Sequence, residues 1–144
     1  MARGYPDFFG YSIFPWHGSI KEETATVNVA IGATSQIIYL AGKRVIYCVD
    51  VSAVGLSSIG TDIVRAYADG NLLSQIAWQD LGNFYFGYTI PGEFAGASYI
   101  STSFAGHVKL AGLFGVGQSF EITYKNAGAN IVPVTVWAQG CIIL

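Results

Sequence analysis

The sequence predicts an all-β fold: a two-sheet antiparallel β-sandwich of the jelly-roll kind, preceded by an extended N-terminal arm. Helical periodicity is missing along the chain, while 18 glycines punctuate it at short, fairly even intervals. Between the breaks lie runs rich in Val, Ile, Thr, Tyr and Phe, residues that suit a pleated, half-buried surface. Eight to ten such strands exceed what one open sheet covers on both faces, which is why two packed sheets are expected.

The expected strands are residues 24–31, 35–41, 43–54, 61–68, 71–79, 83–90, 97–104, 107–114, 118–125 and 131–144. Asp69-Gly70-Asn71 joins two of them as a hairpin, because Asp and Gly both tolerate positive φ. Ala41-Gly42-Lys43 turns the chain between the second and third runs, and Asn126 to Asn130 separates the last two. In the last run Val132, Val134, Val136 and Ala138 alternate with Pro133, Thr135, Trp137 and Gln139, the period of a strand with two unlike faces. Pro133 lacks an amide donor and belongs at an edge, a bulge or the strand's start. Phe120, Ile122 and Tyr124 face one way, and Glu121, Thr123 and Lys125 face the other. Gly112 to Gly117 reads as a bend between strands, since no helix follows to make it a phosphate loop.

Residues 1–20 form the expected arm and residues 21–144 the sandwich domain. Two prolines and several glycines break the arm, yet it carries Tyr5, Phe8, Phe9, Tyr11, Ile13, Phe14 and Trp16. A free disordered tail would not carry that much aromatic surface. The arm therefore docks in apolar grooves, of a neighbouring subunit or of its own domain, or serves as an aromatic ligand strip; the first of these is the reading we adopt.

Charged residues make up 11% of the chain against 52% hydrophobic ones, where soluble domains carry about 25% charged residues. Either uncharged polar groups solvate the surface or other subunits cover it, and the shortage favours cover, since lasting interfaces are more apolar than ordinary surface. No run of about 18 apolar residues marks a membrane span. The N-terminus lacks the apolar stretch of a signal peptide, so synthesis in the cytoplasm is expected. A net charge of −2 leaves no basic field for nucleic acid.

Catalytic chemistry is thin, and no enzyme is expected. His17 and His107 stand alone, without the spacing of a shared metal. Asp50, Asp62, Asp69 and Asp80 lack the dense alternation of a calcium loop and read as turn or loop-end residues. Neither a metal nor a cofactor is called for. Cys48 and Cys141 sit in apolar strands as two buried free thiols, and a disulfide between them would require neighbouring strands with suitable geometry. Trp78, Tyr85, Tyr88 and Trp137 are the candidates for an aromatic platform that stacks on a sugar.

Val27-Asn28-Val29, the stretch from Tyr39 to Tyr47 with its Gly42-Lys43 turn, Thr61 to Gly70, Phe120 to Asn126 and Val132 to Trp137 together resemble small β-sandwich virion proteins of tailed bacteriophages. These serve as head decoration, head fibre or tail appendage subunits. The resemblance is one of strand and turn order rather than of a catalytic motif. It implies a homo-oligomer, commonly a trimer, that binds capsid or tail proteins in the virion, assembled in the host cytoplasm without enzymatic activity. The chain lacks the heptads and repeats of a long fibre, which favours a compact decoration or connector subunit. A carbohydrate-binding or host-adhesion module of the same fold is the alternative.

Overall fold

A computed structural model describes residues 20–56, 61–78, 91–100 and 105–142. The ten strands described are β1 (Ile20–Val29), β2 (Thr34–Ala41), β3 (Arg44–Ala53), β4 (Ile63–Ala68), β5 (Asn71–Ala77), β6 (Phe94–Ile100), β7 (Ala105–Leu110), β8 (Phe114–Val116), β9 (Ser119–Lys125) and β10 (Val132–Ile142). They form two sheets. The first runs β1-β10-β3-β7-β6, with the short β8 beside β3, and the second runs β2-β9-β4-β5. Every neighbouring pair is antiparallel. The strand order β1-β10-β3-β7 facing β2-β9-β4-β5 is that of a jelly roll, and the expected two-sheet sandwich is the fold observed.

Alternation along each strand builds the core. Val132, Val134, Val136 and Ala138 of β10 and Val49, Val51 and Ala53 of β3 point inward from the first sheet, all at most 2% exposed. Phe120, Ile122 and Tyr124 of β9 and Val64 and Ala66 of β4 meet them from the second, each at 0%. Ile37 and Ile38 are both buried because the β2 register shifts between Gln36 and Ile38, where an extra residue breaks the alternation.

Several boundaries differ from the expected ones. β1 starts at Ile20 and takes in Lys21-Glu22-Glu23, because its ladder continues along β10 to Cys141. Within the expected bend at 112–117, Phe114–Val116 pairs with Ile46, Val45 and Arg44 as a strand of its own. Pro133 is the second residue of β10, at the strand's start, and its carbonyl accepts from Val54 N–H at 3.3 Å. The expected run at 83–90 and the arm residues Tyr5, Phe8, Phe9, Tyr11, Ile13, Phe14 and Trp16 lie outside the described residues.

The Asp69–Gly70 turn has the backbone its composition demands, with φ of 53° at Asp69 and 82° at Gly70. At Gly106, on β7, a Cβ would stand 2.8 Å from the ring of Trp78, so the missing side chain is what lets the indole lie against the first sheet.

Candidate interaction surfaces

Three groups of polar side chains lie in or at the edge of the core. The deepest joins Asp62, just before β4, to Trp78 and Tyr124. Trp78 Nε1 donates to Tyr124 Oη at 2.7 Å, Tyr124 Oη donates to Asp62 Oδ2 at 2.7 Å, and Asp62 Oδ1 accepts from Ala127 N–H at 2.7 Å. Burial, first of all, pushes the Tyr124 phenol far above its ordinary range; the adjacent Asp62 adds to this, while the Trp78 hydrogen bond opposes it. Asp62 was expected to be a loop-end residue, but it is 3% exposed. The set binds three segments of chain and offers no group to a substrate.

Trp78, expected in an aromatic platform, is 1% exposed and its indole N–H is taken. Its ring face is therefore not open to a ligand. Tyr85 and Tyr88 lie outside the described residues. Trp137 is half-buried on the outer face of the first sheet, in register between Thr24 of β1 and Asp50 of β3. Asp50 pairs in turn with Lys109 of β7, and its Oδ1 is 3.8 Å from His107 Nε2. The described platform candidates thus lie apart, one in the core and one on the surface.

The second polar group is at the opposite end of the sandwich from the β1–β2 turn. Arg44 Nη1 donates to Glu23 Oε2 at 3.3 Å and Nη2 to the Ala41 carbonyl at 2.6 Å. A depression of about 180 Å³, counting its open mouth, runs past this pair between Lys21 and Gln139. The third is Asn126, fully buried after β9. Its Nδ2 donates to the carbonyls of Val29 at 3.0 Å and Asn130 at 2.7 Å, and its Oδ1 accepts from Gly128 N–H at 2.9 Å.

Asn126 organises an apolar end of the molecule. Its backbone exchanges hydrogen bonds with the β1–β2 turn, to Ala33 O and from Gly32 N, and Asn130 Nδ2 reaches Gly55 O at 3.3 Å. Three loops are held together in this way, and each presents a large aliphatic side chain to water: Ile31 at 58%, Val54 at 52% and Ile131 at 59% exposed. Exposed Ala30, Ala127 and Ala129 lie on the same loops. The outer face of the second sheet carries a different surface, with Tyr39 of β2 and Tyr67 of β4 each in register with Glu121 of β9.

Cys141 is buried as expected, but Cys48 is only half-buried; the two lie on adjacent strands without a disulfide, Cys141 opposite Val45 and Cys48 opposite Gln139. Among the described residues no three His, Cys, Asp or Glu side chains gather as metal ligands, and no helix is long and apolar enough to cross a membrane.

No family model and no curated protein matches this sequence. Among solved structures, a chain of the cyanophage Pam1 capsid asymmetric unit is similar at a TM-score of 0.47 and 14% identity, over 85% of this chain and 84% of that one.

Sequence reasoning missed the apolar end and the tyrosine row. Ile31, Val54 and Ile131 each sit at the margin of an apolar run and look like strand residues there. Tyr39 and Tyr67 come together only through strand register.

Proposed function

We propose that the chain is a non-enzymatic structural virion subunit, a capsid decoration or connector protein that self-associates and binds a viral lattice. The observation that carries this reading is the apolar end, where Ile31, Val54 and Ile131 are held in water by a hydrogen-bonded frame. Single exposed apolar residues are ordinary, but a group of them on a fixed frame marks a contact surface. The low charge of the chain supports the same reading, as does its resemblance in strand and turn order to phage β-sandwich virion proteins. In this reading the aromatic arm that precedes β1 clamps a neighbouring subunit, and three copies make the assembly.

Light scattering on the full chain tests it. A mass three times the 15.4 kDa of the single chain is expected. Ile131→Asp and deletion of residues 2–18 should each reduce that mass to the monomer's while circular dichroism remains β-rich. A parent protein that stays monomeric at high concentration would sink the proposal.

A further inference from the structure

We infer that the outer face of the second sheet is a carbohydrate-binding shelf built on Tyr39, Glu121 and Tyr67. Register places the three in one row across β2, β9 and β4: Tyr39 opposite Glu121, and Glu121 opposite Tyr67. Leu72 of β5 continues the row beside Tyr67. Their chain neighbours Leu40, Phe120, Ile122 and Ala66 are buried, so this row faces outward, with Tyr39 53% exposed.

Adjacent strands are about 4.8 Å apart, so the two tyrosines stand about 10 Å apart with the carboxylate between them. The row on one side is polar. Gln36, Thr123, Arg65 and Gln75 follow one another in register, and Arg65 Nε donates to Gln75 Oε1 at 3.0 Å. On the other side Ala41 and Ser119 pair, so short side chains flank the rings there.

This arrangement fits a short oligosaccharide. A pyranose has an apolar C–H face that stacks on a tyrosine ring and a rim of hydroxyls that seek acceptors and donors. Glu121 accepts from hydroxyls between two stacked sugars, while the remaining guanidinium N–H groups of Arg65 and the amides of Gln36 and Gln75 serve the rim. A second copy of this chain fits less well. Two-fold packing about the centre of the row would bring Glu121 against its own symmetry mate, and burying like charges together is costly. The inference is independent of the subunit proposal, since the apolar end lies on different residues.

The test is an array of neutral and N-acetylated oligosaccharides probed with the full chain, followed by titration of any glycan retained. Tyr39→Ala, Tyr67→Ala and Glu121→Gln should each weaken binding about tenfold, in line with the loss of one stacked ring or one charged acceptor. Trp137→Ala, on the outer face of the other sheet, should leave it unchanged. All four positions are on outer faces, and thermal melts check that each variant folds. No glycan retained at millimolar concentration, or undiminished binding by both tyrosine variants, overturns the inference. Light scattering on the same variants should show the parent's mass, which separates this result from that of the assembly test.

Discussion

Trp78 Nε1 and Tyr124 Oη meet at 2.7 Å between the two sheets, with ring centroids 6.2 Å apart. The indole donates and the phenol passes its own hydrogen on to Asp62. Both are at most 1% exposed, so neither has water to fall back on. Tyr124→Phe removes one oxygen and leaves both the Trp78 N–H and Asp62 Oδ2 without that partner. A buried polar group left unpaired costs about 1–3 kcal/mol. Urea unfolding should show a loss of that order with an unchanged slope on denaturant.

The same phenol makes the alkaline limb of stability a test. Burial raises the Tyr124 pKa in the folded state above its ordinary value of 10.0. Below about pH 10 both states keep the proton and the group contributes no pH dependence. Above it, the unfolded chain releases a proton that the folded one retains, so the unfolded state gains and stability falls as pH rises. The parent should lose up to about 1.4 kcal/mol per pH unit more than Tyr124→Phe there. Equal alkaline slopes for the two proteins would contradict the buried network.

The Asp69 carboxylate works in the other direction. It accepts from the N–H groups of Ser119, Gly117 and Gln118 across the β8–β9 turn, at 3.0, 3.0 and 2.6 Å, and these bonds hold its pKa below the ordinary carboxylate value. A lowered folded pKa gives stability that is present above the unfolded value of 3.8 and lost as pH falls through the folded one. Asp69→Asn keeps a residue that tolerates positive φ but removes the charge. We expect it to melt lower than the parent at neutral pH, with the gap narrowing as the pH falls below the unfolded value of 3.8.

How far these features could be read beforehand depends on whether a residue's partner is local. The alternation in Val132 to Ala138 and Phe120 to Tyr124 sets which side chains face inward, and the Asp69-Gly70 pair sets a turn; both are matters of adjacent residues. The sequence marks Asp69 as a turn former, yet its carboxylate also holds a loop 48 to 50 residues away. Trp78 and Asp62 show the same gap: an aromatic and an acid at run ends look like surface groups until Tyr124 satisfies them. The tyrosine row exists only in the register of β2, β9 and β4, which no single strand encodes.

Gly106 offers a steric test of the Trp78 site. A Cβ there would approach the indole to 2.8–2.9 Å, and the buried ring is tethered through its Nε1 to Tyr124. Gly106→Ala should cost about 1–3 kcal/mol as an overpacked core does. Pairing it with Trp78→Phe, which shrinks the ring, should recover part of the loss, whereas a strictly additive double variant would show that the two do not touch.

The two thiols can be checked by chemistry alone. Burial raises the Cys48 thiol pKa above its ordinary value of 9.0, Asp50 raises it further and Lys109 pulls against both. The thiolate, which is the reactive form, is therefore scarce at pH 8. Cys141 is 1% exposed and neither residue is disulfide-bonded. Under native conditions a thiol reagent should label Cys48 more slowly than a free cysteine and Cys141 more slowly still, with two equivalents taken up on unfolding. Raising the pH should speed Cys48 labelling until its thiolate dominates. Asp50→Asn should shift that profile to lower pH by removing the neighbouring negative charge, and an unshifted profile would show that Asp50 does not act on the thiol across the outer face of β3.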